Sequence, residues 1–163
     1  MAKARTVVSL SAQLVVLVLI ALAFFMRTSP VQGLSMEPRV QSGELVLINT
    51  LAYRFGAIGR GDVVAFRHDG PTTETYIKRI VGLPGERVDV RDGVVSIDGR
   101  ELAEPYVHFR DRRSAPPVVV PPHAYYVLGD NRADSDDSRN WGVLNESDVL
   151  GKAVVGIWPP RRV

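Results

Sequence analysis

A single all-β domain, a barrel or folded-over sheet, carried on one N-terminal transmembrane helix, is the fold class the sequence predicts. Three observations predict it. Val7–Met26 runs for twenty residues without a charge, about the 20 that a helix needs to cross the hydrocarbon core of a bilayer. The chain beyond it breaks into short runs rich in Val, Ile, Tyr and Phe, divided by Gly, Pro and Asp-Gly punctuation. No segment of that remainder repeats its apolar residues with a sustained helical period.

The bulk composition sets limits around this prediction. The 163 residues suffice for one domain and are too few for two ordinary ones. A hydrophobic content of 45% supplies a core, and 20 basic against 18 acidic residues leave a net charge of only +2. That balance carries no footprint for nucleic acid, so none is expected as a partner. The absence of cysteine removes disulfides, thiol nucleophiles and thiolate metal sites.

The apolar run reads as a retained anchor. Ser9, Ser11 and Gln13 interrupt its first half, and it ends in Phe24-Phe25-Met26-Arg27 with Pro30 close behind. A cleaved leader has a shorter apolar region and a small-x-small site after it, which this ending lacks. Lys3 and Arg5 precede the run and only Arg27 follows at once. The positive-inside tendency therefore predicts a cytoplasmic N-terminus and an extracytoplasmic remainder. Residues 1–27 form the cytoplasmic end and the anchor on this reading, and residues 28–163 form the β-rich domain on the outer face of an inner or plasma membrane. The lipid bilayer is thus an expected partner.

Candidate strands follow in order: Glu44–Asn49, Asp62–Phe66, Thr75–Val81, Glu86–Val90, Val94–Ile97, Tyr125–Leu128 and Val149–Ile157. Arg91-Asp92-Gly93 and Asp98-Gly99 are hairpin signals. Ala115–Pro122 holds four prolines and reads as a surface loop.

Three segments carry residues suited to chemistry, and each also has an ordinary structural reading. Ser35 in Gly33-Leu34-Ser35-Met36-Glu37-Pro38 is, taken alone, a turn serine. Lys78 in Tyr76–Gly85 lies on a strand and shares a face with Tyr76 and Ile80, while Arg79 points the other way. Alone, that lysine reads as one that snorkels to water. The acidic stretch Gly129–Gly142 suggests calcium, but counting from Asp134 puts Arg139 where an EF-hand loop requires Gly. With Arg132 and Arg139 inside it, the stretch reads as a loop braced by its own salt bridges. His68, His108 and His123 have no paired ligand spacing, so neither a metal nor another cofactor is expected.

In this order, behind an apolar anchor, the segments resemble bacterial type I signal peptidases, the Ser–Lys members of the S26 family. The resemblance covers most of the chain. It rests on Ser-Met-x-Pro at Ser35–Pro38, Arg-Gly-Asp-Val-Val at Arg60–Val64, Lys-Arg-x-x-Gly-x-Pro-Gly at Lys78–Gly85, and Gly-Asp-Asn-Arg…Asp-Ser-Arg-x-Trp-Gly at Gly129–Gly142. It implies a serine endopeptidase that cuts after Ala-x-Ala and takes the signal peptides of membrane-inserted preproteins as partners. Ser35 is the implied nucleophile and Lys78 the implied general base. Ser135 is the implied hydroxyl that orients the amine, and Asp130, Asp137 and Arg139 brace the loop that holds it. Val31, Met36, Val40, Tyr76 and Ile77 occupy cleft-lining positions in similar proteins. The Ser35 N–H is the natural first oxyanion donor. The chain departs from part of the family two residues earlier, where Gly33 stands in place of a serine hydroxyl.

A free lysine, with a pKa of about 10.4, is charged at neutral pH and useless as a base, so burial must push Lys78 down. Tyr76, Phe66 and Val127 are the apolar neighbours expected to do so. Ser35 follows Met26 by nine residues, at most about 32 Å of extended chain, which tethers it near the membrane surface. Two other readings are a protease dedicated to one conjugation or pilus substrate and a silent membrane-anchored binding domain.

Overall fold

Residues 12–17, 20, 24–68 and 74–158 are described by the computed structural model. Half of the expected membrane span over 7–26 falls outside them. Its described part is helical at 12–17, with Leu14, Val15, Val16 and Leu17 all exposed. Among the described residues no helix is long and apolar enough to cross a membrane.

The rest is β structure. In chain order the strands are β1 (Met26–Pro30), β2 (Leu45–Asn49), β3 (Val63–Arg67), β4 (Thr75–Gly82), β5 (Arg87–Arg91), β6 (Val94–Ile97), β7 (Arg100–Glu101), β8 (Ala115–Val119), β9 (Ala124–Leu128), β10 (Leu144–Asn145) and β11 (Val149–Trp158). One short helix, α1 (Ser138–Trp141), precedes β10. Seven strands pair antiparallel in the order β1-β2-β11-β3-β4-β9-β10, and four more in the order β7-β6-β5-β8.

Both faces of the larger sheet are covered, which explains why β3 reads as an unbroken apolar run, Val-Val-Ala-Phe, rather than an alternating one. Val63 and Ala65 join Val46, Ile48 and Ile77 in one cluster. Val64 and Phe66 join Ile80, Val127 and Leu144 in another, on the opposite face. Val81, Tyr126 and Leu128 pack with Val88, Val90 and Val95 and so join the smaller sheet to the larger. Each buried Val, Ile, Leu or Phe among them contributes about 1.5–3 kcal/mol by leaving water. The two hairpin signals form two-residue turns: Asp92 and Gly93, then Asp98 and Gly99, all take positive φ between paired strands.

Two expectations are corrected. Ala115–Pro122 is not simply a loop, since Ala115–Val119 forms β8 against β5. β8 is an edge strand, and Pro116 and Pro117 fall where its register against β5 shifts, between the Val118 and Ala115 pairs, a bulge that tolerates their missing N–H groups. The sheet also begins earlier than expected, inside the apolar run, because Met26 pairs with Asn49 in β1 and β2.

The topology gathers one end of the large sheet around the point where the apolar run arrives. β2 and β3 finish there, and β4 and β11 start there, since Asn49 pairs with Met26 and Lys152, Phe66 with Val149, and Arg67 with Thr75. Thr50 donates both its N–H and its hydroxyl to the Phe25 carbonyl, at 3.0 and 2.8 Å. The turn that follows holds Phe55, which is 87% exposed.

Candidate active site

Ser35 sits on the connection between β1 and β2. The ladder of these strands extends past Pro30, with Val31 N–H donating to Glu44 O and Gly43 N–H donating to Val31 O. Gly33 then turns the chain with φ of +98°, a conformation that suits glycine and strains other residues. A tight turn follows, with Glu37 N–H donating to Leu34 O and Val40 N–H to Met36 O. Met36 and Val40 sink into the core and hold the turn down.

Lys78 approaches from the middle of β4, and its Nζ lies 2.8 Å from Ser35 Oγ. The side chain is only 4% exposed. It shares its strand face with Tyr76 and Ile80, and by register with Val64, Phe66 and Val127. Burial is the main reason its pKa falls to about 8; Asp137 and Asp136 pull the other way, and the Arg139 charge adds to the fall. The expected neighbours Tyr76, Phe66 and Val127 all belong to or pack against this apolar cluster.

The segment after β9 closes the site from the far side. Asn131 N–H donates to Ser35 O at 2.9 Å and its side-chain amide to Leu34 O at 3.2 Å. A Cβ on Gly129 would come within 2.5 Å of Ser35 O and would also strike the Ser135 side chain, so only glycine permits this approach. Ser135 is buried beside the same glycine, and among the described residues its hydroxyl forms no well-aligned hydrogen bond.

Asp130 is fully buried and takes both prongs of Arg79, with Nε to Oδ1 at 2.7 Å and Nη2 to Oδ2 at 2.5 Å. Arg79 also lies over the Tyr106 ring, 4.1 Å from its centre. Lys78 and Arg79, adjacent in β4, thus serve opposite faces: one meets Ser35 and the other clamps the loop.

Asp137 caps α1 and pairs with Arg139 through two contacts of 2.8 Å. Burial raises the Asp137 pKa, but the Arg139 bonds and charge outweigh it, with smaller help from Ser135 and the Gly129 N–H, and the carboxyl ends below its ordinary value. Arg132 departs from the self-braced loop expected from the sequence. It reaches out to buried Glu104, at 2.5 and 3.0 Å, while Arg139 also reaches Asp111.

A cavity of about 280 Å³ opens beside the pair. Of the expected cleft residues, Val31, Met36, Tyr76 and Ile77 line it, together with Ser35 and Lys78. Val40 does not, being packed in the core beneath, and Gly33 shapes the turn without lining the wall. Sequence reasoning missed Glu74, Ser29, Pro30 and Gln32 on the cleft wall, and the long-range braces Glu104, Asp111 and Arg113. The strand alternation of β4 carried a signal for Glu74, which lies four residues before Lys78 and so on its face. Nothing local marks the braces.

Comparison with known proteins identifies the family. The family model described as "Signal peptidase, peptidase S26" matches residues 4–158. Signal peptidase IB of Staphylococcus aureus is 30% identical across 94% of this chain and 88% of its own. Signal peptidase I of Leptolyngbya laminosa is 36% identical across 79% of this chain and 67% of its own. A crystal structure of a signal peptidase I from Enterococcus faecalis aligns with 32% identity over 60% of this chain and 97% of that one, at a TM-score of 0.49. With a family match over nearly its whole length, this chain belongs to the signal peptidase family, peptidase S26, and is a peptidase.

Proposed function

We propose that the chain is a membrane-anchored serine endopeptidase that removes N-terminal signal peptides from exported preproteins with a Ser35–Lys78 dyad. The observation that carries the reading is the 2.8 Å approach of a buried Lys78 amine to the Ser35 hydroxyl in an open cleft. Once Lys78 has lost its proton, the contact runs from Oγ–H into the amine lone pair. Oγ then attacks the scissile carbonyl as its proton moves to Nζ, and the resulting ammonium returns that proton to the leaving amine. Water hydrolyses the acyl-enzyme in a second round with the same base. Among the described residues nothing accepts from the Ser35 N–H, which leaves it for the developing oxyanion.

The cleft walls suit an extended peptide. β1 is an edge strand, and β9 pairs with β4 only from Arg79 onward, so Thr75–Lys78 keeps one free edge. Main-chain bonding along these edges supplies affinity, and shallow apolar contacts from Val31, Met36 and Ile77 favour small side chains before the cut. Anchoring through the apolar run at 7–26, with residues 1–27 forming the cytoplasmic end and span and residues 28–163 on the outer face of the membrane, would present this edge to substrates threaded through the same bilayer.

The test uses detergent-solubilised full chain and a secretory precursor whose leader ends in Ala-x-Ala. A product N-terminus immediately after the second alanine supports the reading. A folded protein that leaves the precursor intact rejects it in favour of a dedicated substrate.

The pH profile supplies an independent check. A base with a pKa near 8 must be neutral to act, so kcat/KM rises with pH, reaches half its plateau near pH 8, and falls about tenfold per unit well below that. A profile that stays flat between about pH 6 and pH 9 removes Lys78 from the role.

A further inference from the structure

A second cavity, of about 360 Å³, opens at the end of the sheet where the apolar run joins β1. Arg27 of β1 and Arg67 of β3 line it from opposite sides, with the hydroxyls of Thr28 and Thr75 and an apolar wall that includes Leu150. Among the described residues no carboxylate lines it, and neither guanidinium makes a hydrogen bond or ion pair there. Two exposed cations lining one cavity make it favourable for an anion to enter. Guanidinium groups bind phosphate oxygens in paired, charge-assisted hydrogen bonds.

The position identifies the anion's source. Arg27 follows the apolar run by a single residue, and Phe55 projects into solvent from the turn bonded to Phe25. An exposed aromatic and arginines gathered where an apolar run meets the sheet form the pattern of a membrane interface. We propose that this cavity binds the phosphate of an anionic phospholipid headgroup, with the acyl chains leaving along the apolar wall. The proposal rests on the membrane-anchored reading and deepens it.

The site also touches the reaction. Ser29 and Thr75 line both this cavity and the substrate cleft. β1 and β3 are separated in the sheet by β2 and β11, and no ladder joins them directly. A phosphate held by Arg27 and Arg67 links the β1 cleft wall to β3, whose Arg67 pairs with Thr75 of the β4 wall, without contacting Ser35 or Lys78. Lipid therefore acts on KM, by fixing the spacing of the peptide-binding edges, and leaves kcat nearly unchanged.

The experiment uses the full chain in dodecyl maltoside, titrated with dihexanoyl-phosphatidylglycerol, dihexanoyl-phosphatidylcholine or inorganic phosphate. Thermal midpoint and the kcat and KM of precursor cleavage are read at each concentration. Wild type is compared with Arg27→Gln/Arg67→Gln and with a charge-matched control, Arg91→Gln/Arg100→Gln, on the smaller sheet. Phosphatidylglycerol is expected to raise the midpoint and lower KM in wild type and control, with the half-maximal concentration rising about tenfold or more in the Arg27/Arg67 variant. No response in wild type, or an equal response in all three proteins, overturns the site. Equal potency of phosphatidylcholine overturns the anionic selectivity, and equal potency of inorganic phosphate overturns the lipid assignment. Retention on vesicles through an alkaline carbonate wash is scored separately. Loss of the protein in that wash refutes the anchor, whereas the detergent titration judges the phosphate site alone.

Discussion

Ser35→Ala and Lys78→Ala are each expected to lower precursor cleavage by about 10⁴-fold or more, with the double variant no worse than either single one. The equality follows from the geometry. A hydroxyl without a base and a base without a hydroxyl fail at the same proton transfer, and the two groups meet at a single 2.8 Å contact. Lys78→Arg is expected to be equally inactive, because a guanidinium cannot surrender its proton at any usable pH. Folding is not the confounding factor here. Lys78 enters the interior as a charge against the cost of burial, so its removal relieves that cost, and thermal midpoints will show whether the variants remain folded. Turnover at more than a few per cent of wild type by either purified single variant would remove the pair from the mechanism.

The second large effect is on stability. Arg132→Met should cost about 3–5 kcal/mol, because it leaves Glu104 buried with its charge uncompensated. Among the described residues only the Tyr106 hydroxyl, 3.0 Å from Oε1, would remain to it. At about 2–4 °C per kcal/mol for a chain of this size, the thermal midpoint falls by roughly 6–20 °C. The double change Arg132→Met/Glu104→Leu removes both charges and should recover most of the loss. The exposed pair Arg91–Asp89 offers a contrast, since breaking it should cost less than about 1 kcal/mol. A double variant as unstable as the single one would mean that Arg132 acts through Gly129, whose carbonyl accepts from its Nε, and not through Glu104.

What was legible in the sequence divides along a physical line. Short-range patterns declared themselves: the seven strands read from β-branched runs all form, and both Asp-Gly turns fall between paired strands. β8 was hidden because proline signals a loop unless the strand is known to be an edge, and edges are a property of the whole sheet. β1 was hidden because Met26 serves the end of an apolar run and the first rung of a ladder at once. In the site, Ser35 and Lys78 stood in recognisable boxes, and alternation along β4 correctly separated Lys78 from Arg79. The bracing was opaque. Arg79 finds Asp130 across 51 residues and Arg132 finds Glu104 across 28, and any of the chain's carboxylates was an equally good partner beforehand. Val40 shows the same limit, since it lies beside the cleft in sequence yet beneath it in space.

The buried amine also ties proton uptake to the integrity of the fold. Lys78 holds its proton with a pKa near 8 when folded and about 10.5 when the chain is open. Below pH 8 both forms are protonated, and the native state carries the whole penalty, about 3 kcal/mol. Between pH 8 and 10.5 the unfolded chain still binds the proton that the native one has released, so this residue's contribution to stability climbs with pH and levels off above that window. At neutral pH, then, the lysine proposed as the base of Ser35 is also a standing load on the native state. Two deeply buried ion pairs stand beside that load: Arg79–Asp130, adjacent to Lys78 in β4, and Arg139–Asp137, whose charges act on the amine.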